Sequence, residues 1–184
     1  MIPRDEDGIE RATLYKLFAG LFISNPTDET VMLVKNMFQI ASFETIDKIT
    51  GDFSRIFLGP REYLPPYESF YRDHIPGSFI GSGGKTADNV WSFYTSAGLL
   101  MDRQVNLLPD HISTELLFMS YLVENDFIEP QKRFLDEHLA RWVPGYCDAI
   151  RQHAATSFYK EVANMLKEFI LSECNQFGIV WKAQ

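Results

Sequence analysis

The sequence predicts an all-α fold, and three observations carry that prediction. Apolar residues recur at three- and four-residue spacing in successive segments between Ile9 and Ile170. Period-two alternation is missing over any strand-length window. Asn-Gly hairpin turns are missing as well. With 184 residues and 46% hydrophobic content, the chain can bury one substantial core, most simply as a single-domain helical bundle.

The elements follow in order. Ile9, Ala12, Leu14, Leu17, Phe18, Leu21 and Phe22 form a broad apolar helix face that should end before Pro26. Asn25-Pro26 reads as N-cap and first position of a second helix, with Asp28 in its first turn. Val31, Val34, Met37 and Phe38 give that helix its buried face. Phe43, Ile46, Ile49, Phe53, Ile56 and Phe57 make a third, closed by Gly59-Pro60. Phe134, Leu135, His138, Leu139 and Trp142 make another, ended by Pro144-Gly145. Phe158, Val162, Met165, Leu166, Phe169 and Ile170 make the last long one.

The middle departs from this pattern. Pro60, Pro65, Pro66 and Pro76, with glycines at 77, 81, 83 and 84, interrupt the periodicity. So irregular a stretch inside a compact domain is functional or a linker. It divides an N-terminal helical half, 1–58, from a C-terminal helical half, 86–184, with 59–85 as connector.

Bulk charge removes one class of partner. The formal net charge is −8 and the sequence pI about 5.0, whereas nucleic-acid binding draws on clustered Lys and Arg. No secretory signal is visible. The longest apolar runs fall well short of the roughly 20 residues that span a bilayer, so stable membrane insertion is not expected. Cys147 and Cys174 lie far apart without CxxC spacing, which argues against a disulfide framework or thiolate zinc site. A cytoplasmic protein is the expectation.

Gly83-Gly84-Lys85-Thr86 resembles the end of a phosphate-binding P-loop, but the GxxxxGK[ST] spacing needs glycine where Phe79 stands. No apolar strand precedes it to aim such a loop. A flexible connector ending at a helix start is the simpler reading.

The most informative segment is Leu107-Leu108-Pro109-Asp110-His111-Ile112-Ser113-Thr114-Glu115-Leu116-Leu117-Phe118-Met119. Pro109 stops what precedes it, and Asp110 suits an N-cap for a helix starting at His111. Glu115 lies one turn beyond His111 on the same face. Leu116 to Met119 covers every side of the helix, which marks it as buried. Carboxylates there must find partners, because an unpaired buried charge is very costly. The segment is therefore a structural polar knot or a recognition site. His111 with Glu115 also suits half of a metal site, so a metal-dependent hydrolase is one alternative. A catalytic zinc needs about three protein ligands, however, and no HExxH pattern supplies them. A helical scaffold for some other apolar helix is a second alternative.

Upstream lies Leu64-Pro65-Pro66-Tyr67-Glu68-Ser69-Phe70-Tyr71-Arg72. Its prolines hold the start extended, and Tyr67, Phe70 and Tyr71 fall at helical spacing. Tyrosine favours surfaces that are only partly buried, because its hydroxyl wants a polar partner or water.

Pro109-Asp110-His111-Ile112 with Glu115-Leu116 and Phe118-Met119 resembles the PDHxxxEL-FM motif of the redox-enzyme maturation chaperones of the TorD/DmsD/NarJ type. Arg11, Leu14, Tyr15, Leu17 and Phe18 resemble that family's first helix. Phe57-Leu58-Gly59-Pro60 and Pro65-Pro66-Tyr67-Glu68-Ser69 with Tyr71 resemble its central aromatic segment. Tyr94 with Gly98-Leu99, then Phe134, His138-Leu139, Trp142, Pro144 and Phe158-Tyr159, complete the order. The resemblance implies a TorD-like helical bundle without catalytic residues, metal or cofactor of its own. It implies a chaperone that binds a molybdopterin oxidoreductase apoprotein, often through its twin-arginine leader peptide, until the cofactor is inserted. A groove presenting Tyr67, Glu68, Tyr71, Asp110, His111, Glu115 and Met119 would offer charge-assisted hydrogen bonds to guanidinium groups and adaptable apolar contact. Within it, Asp110 can hold the helix start and Glu115 can pair internally, leaving His111 and the tyrosines as contacts. The protein would be a monomer or, through its connector, a domain-swapped dimer.

Overall fold

The structure is a computed structural model that describes residues 6–59, 63–73, 84–100 and 107–181. Pro60, His74, Pro76, Phe79 and the glycines at 77, 81 and 83 lie outside the described residues. Among those described, helices α1 (Glu6–Ile23), α2 (Asp28–Phe38), α3 (Ile46–Phe53), α4 (Glu68–Arg72), α5 (Lys85–Ser96), α6 (Ile112–Glu124), α7 (Ile128–Phe134), α8 (Ala140–His153) and α9 (Ser157–Gln176) follow in order. Wider π-helical turns continue α3 over Ser54–Leu58 and α7 over Leu135–Leu139. In place of strands, the described residues carry one isolated antiparallel bridge, between Tyr67 and His111.

Contacts group the chain into two compact units, 1–19 with 66–142 and 20–65 with 143–184. Each draws on residues from both sides of 59–85, so the grouping does not follow chain order. In the first unit, Tyr94 packs on Phe118 with ring centroids 4.6 Å apart, and Phe118 packs on Phe134 at 4.8 Å. Ser113 Oγ donates to the Ala19 carbonyl at 2.8 Å, pinning α6 to α1. In the second unit, Phe57 lies 5.4 Å from Phe22 and 5.5 Å from Tyr159. Aromatic pairs of this kind add specificity to plain area burial.

Several helix ends differ from expectation. Thr27, not Asn25, caps α2, its Oγ accepting the Thr30 N–H at 3.2 Å. Gln39 then closes α2 in a left-handed conformation (φ 53°), which turns the chain out of the helix. Phe43 consequently stands in the loop before α3, 98% exposed, rather than on a buried face. Ile9 and Met37 are exposed as well.

Pro144 does not end its helix but lies inside α8. A proline there lacks the N–H and crowds the carbonyl four residues back. The π-helical turn just upstream already interrupts the regular hydrogen-bond ladder, and such turns absorb the resulting bend. Gly59 ends the other π-helical turn, where a Cβ would sit 2.8 Å from the Arg55 carbonyl oxygen.

The α9 start is held by two carboxylates of its own unit. Asp52 accepts from the Thr156 N–H at 2.8 Å and its hydroxyl at 2.6 Å, and Glu44 accepts from the Ser157 N–H at 2.7 Å. Both satisfy N–H groups that the helix itself cannot pair.

Candidate functional site

The two segments singled out in sequence meet in the first unit. Glu68 N–H donates to the Asp110 carbonyl at 2.9 Å, and Ile112 N–H donates to the Pro66 carbonyl at 2.8 Å. The Tyr67 and His111 rings lie edge-to-face across this bridge, 5.0 Å apart. The prolines at 65 and 66 hold their segment extended, as a strand-like bridge requires.

Asp110 does not cap its own helix. Its Oδ2 accepts the Ser69 N–H at 2.9 Å, so it closes the start of α4 instead. His111 takes over the cap of α6, its Nδ1 accepting the Ser113 N–H at 3.1 Å. That role needs an unprotonated Nδ1, and burial depresses the ring's pKa from 6.5 to about 4.

Behind the bridge sits a buried polar cluster. Glu68 binds Arg72 through Oε1 and lies 2.7 Å from His138 Nδ1 through Oε2. Arg72 also donates to the Glu137 carbonyl at 2.7 Å. Glu115 Oε2 accepts from Trp142 Nε1 at 3.1 Å, and Tyr94 donates to the Pro109 carbonyl at 2.7 Å. Burial, reinforced by the nearby charge of Glu68, pushes the Glu115 carboxyl well above its ordinary value. Burial likewise raises the Tyr94 phenol, and Glu115, Asp110 and Glu68 add to the effect.

Of the expected contact residues, Glu68, Asp110, Glu115 and Met119 are fully buried and His111 is 4% exposed. Tyr67 and Tyr71 are half-buried, with Tyr71 stacked on Trp142 at 5.6 Å. The expectation that His111 is left as an exposed contact is therefore corrected: its ring is spent on the helix cap. Met119 lies inside because α6 is apolar almost all round and is covered accordingly.

His138, Arg72 and Trp142 complete the cluster, and the sequence reading gave none of them a role in it. The Glu68–Arg72 spacing, one helical turn, was a readable signal. The packing of His138 against Phe134 and Phe93 concealed its polar task, because it continued an apolar face.

The alternative chemistries find little footing. His111 Nδ1 and Glu115 Oε2 serve different partners, and no group of three or more His, Cys, Asp or Glu among the described residues is placed to hold a metal ion. Lys85-Thr86 opens α5, yet the Thr86 N–H and hydroxyl are taken by Asp73 at 3.0 and 2.7 Å. An internal carboxylate thus stands where a phosphate would have to bind. Among the described residues no helix is long and apolar enough to cross a membrane.

Comparison with known proteins shows the family. The family model for the nitrate reductase delta subunit matches residues 23–148. The chain belongs to that family. It is similar to the perchlorate reductase assembly chaperone protein of Dechloromonas aromatica, 30% identical over 139 residues, covering 65% of this chain and 58% of the relative. It is also similar to the Tat proofreading chaperone DmsD of Salmonella typhi, 26% identical over 140 residues, covering 76% and 65%. The chain thus spans less than two thirds of the length of these curated relatives. Among solved structures, one described as a redox enzyme maturation protein from Archaeoglobus fulgidus shares the fold. It has a TM-score of 0.57 and 20% identity, covering 88% of this chain and 93% of that one. The family's all-helical fold is therefore the fold of this chain.

Proposed function

We propose that the protein is a non-catalytic, cytoplasmic chaperone for maturation of a molybdenum-cofactor oxidoreductase. In this reading it binds the twin-arginine leader peptide, the apoenzyme or both until the cofactor is in place. The observation that carries it is the junction of the Pro65–Tyr71 and Pro109–Met119 segments. Residues 41 positions apart, Ser69 and Asp110, build one acidic, aromatic site there. The names of the relatives, an assembly chaperone and a Tat proofreading chaperone, support the same reading.

The site divides its labour. Asp110, His111 and Glu115 fix the backbone and the electrostatics from inside, while half-buried Tyr67 and Tyr71 meet the client. Tyrosine faces attract guanidinium groups and accept apolar side chains equally well. The buried acids behind them add a negative field that water screens poorly.

Cells lacking the protein test this directly. Molybdenum content and activity of the client oxidoreductase should fall, and wild-type protein should restore both. Full cofactor loading without the protein would overturn the proposal.

A further inference from the structure

We propose that Arg72 is an internal occupant of a guanidinium seat on Glu68, which a client arginine takes over by displacing it. The inference rests on the client reading above for the identity of the newcomer, but its geometry stands on its own.

Glu68 is fully buried, and its ion-pair partner is not: the Arg72 side chain remains 34% exposed. One guanidinium therefore bridges solvent and a buried acid. Arg72 is the last residue of α4, so its side chain can swing away while the Asp73 N–H to Ser69 carbonyl bond, 2.9 Å, stays intact. The place it leaves is a path from the surface to Glu68.

The cluster also offers more acceptors than Arg72 fills. Asp110 Oδ1 is buried without a hydrogen-bond partner. Buried acceptors of this kind favour an additional donor, because leaving them unpaired costs free energy. A guanidinium brings five N–H donors in a planar fork, whereas an ammonium brings a single strongly hydrated point.

Geometry favours exchange over addition. Glu68 Oε1 already binds Arg72 and its Oε2 lies 2.7 Å from His138 Nδ1, so neither oxygen is left over for a second guanidinium while Arg72 stays in place. Vacating the seat without replacement would strand a buried carboxylate, which is strongly unfavourable. A second guanidinium arriving as the first leaves avoids that state. Arg72 therefore keeps the seat filled between clients and tunes affinity downward. A seat open in about a tenth of molecules weakens apparent binding about tenfold.

The test titrates methylguanidinium and a twin-arginine leader peptide into wild type, Arg72→Ala and Arg72→Lys. Circular dichroism checks the fold, and Arg72→Lys guards against collapse of the alanine variant. Arg72→Ala should bind both probes about tenfold more tightly than wild type, with Arg72→Lys between, and Glu68→Gln added to Arg72→Ala should abolish the gain. A Lys-Lys version of the peptide should gain nothing. Methylguanidinium binding that is unchanged by Arg72→Ala would overturn the seat, as would peptide affinity that is unchanged or weaker. If methylguanidinium binds the variants as expected and none of the proteins binds the peptide, the seat stands and the client reading fails.

Discussion

Asp110 and Ser69 are joined by a single hydrogen bond of 2.9 Å, from the Ser69 N–H to Asp110 Oδ2. That contact fastens the aromatic α4 to the start of α6 and so assembles the candidate site. Asp110→Ala removes the acceptor from a part-buried N–H and should cost about 1–3 kcal/mol. Asp110→Asn keeps an oxygen in place and should cost about 1 kcal/mol or less. Urea unfolding of both variants measures the difference.

His111 makes stability depend on pH. Its folded pKa is depressed to about 4 from 6.5, so its contribution is complete above 6.5 and is lost as pH falls toward 4. Asparagine also serves as an N-cap through its side-chain oxygen. Unfolding free energies measured across that window should therefore fall for wild type and fall less for His111→Asn.

Glu115 acts with the opposite sign. Its folded pKa lies well above the ordinary 4.5, so its contribution is complete below 4.5 and is lost as pH rises above it. Glutamine mimics the protonated acid, keeping an acceptor for Trp142 Nε1 and a donor toward Glu68. Denaturation of Glu115→Gln near pH 4.5 should give a stability within about 1 kcal/mol of wild type. Its advantage over wild type should grow with rising pH.

In the second unit, Glu44 and Asp52 govern the acid side. Burial alone would raise each carboxyl. Hydrogen bonds from Ser42 and Ser157 outweigh it for Glu44, lowering it to about 2. Those from Thr156, Arg55 and Ala155 do so for Asp52. Both contributions are present above the unfolded values of 4.5 and 3.8 and are lost as pH falls through the folded ones. Glu44→Gln and Asp52→Asn should each cost about 1 kcal/mol at neutral pH and flatten acid unfolding followed by circular dichroism.

How legible this was from sequence depends on the kind of feature. The helices were readable, since apolar spacing alone places Val31, Ile49, Leu116 and Val162 inside. Their ends were less so, because Asn25 and Thr27 lie two positions apart and Asp110 and His111 are neighbours, and each of the four can offer a side-chain acceptor to a helix start. Pro144 misled because a wider turn upstream, invisible in composition, accommodates it. The site was legible as two separate motifs, and the bridge between Tyr67 and His111 was not, since long-range pairing leaves no local signature. Burial of Glu68, Asp110 and Glu115 follows from that bridge. Acidic residues read as a surface for guanidinium groups became the interior of the site.

Titration calorimetry of the full chain with the leader peptide of a twin-arginine molybdoenzyme tests the central claim most directly. Saturable binding is predicted, lost when the arginine pair becomes Lys-Lys and weakened by Tyr67→Ala or Tyr71→Ala with the fold intact. Absence of binding, or equal binding of a scrambled peptide, would contradict it.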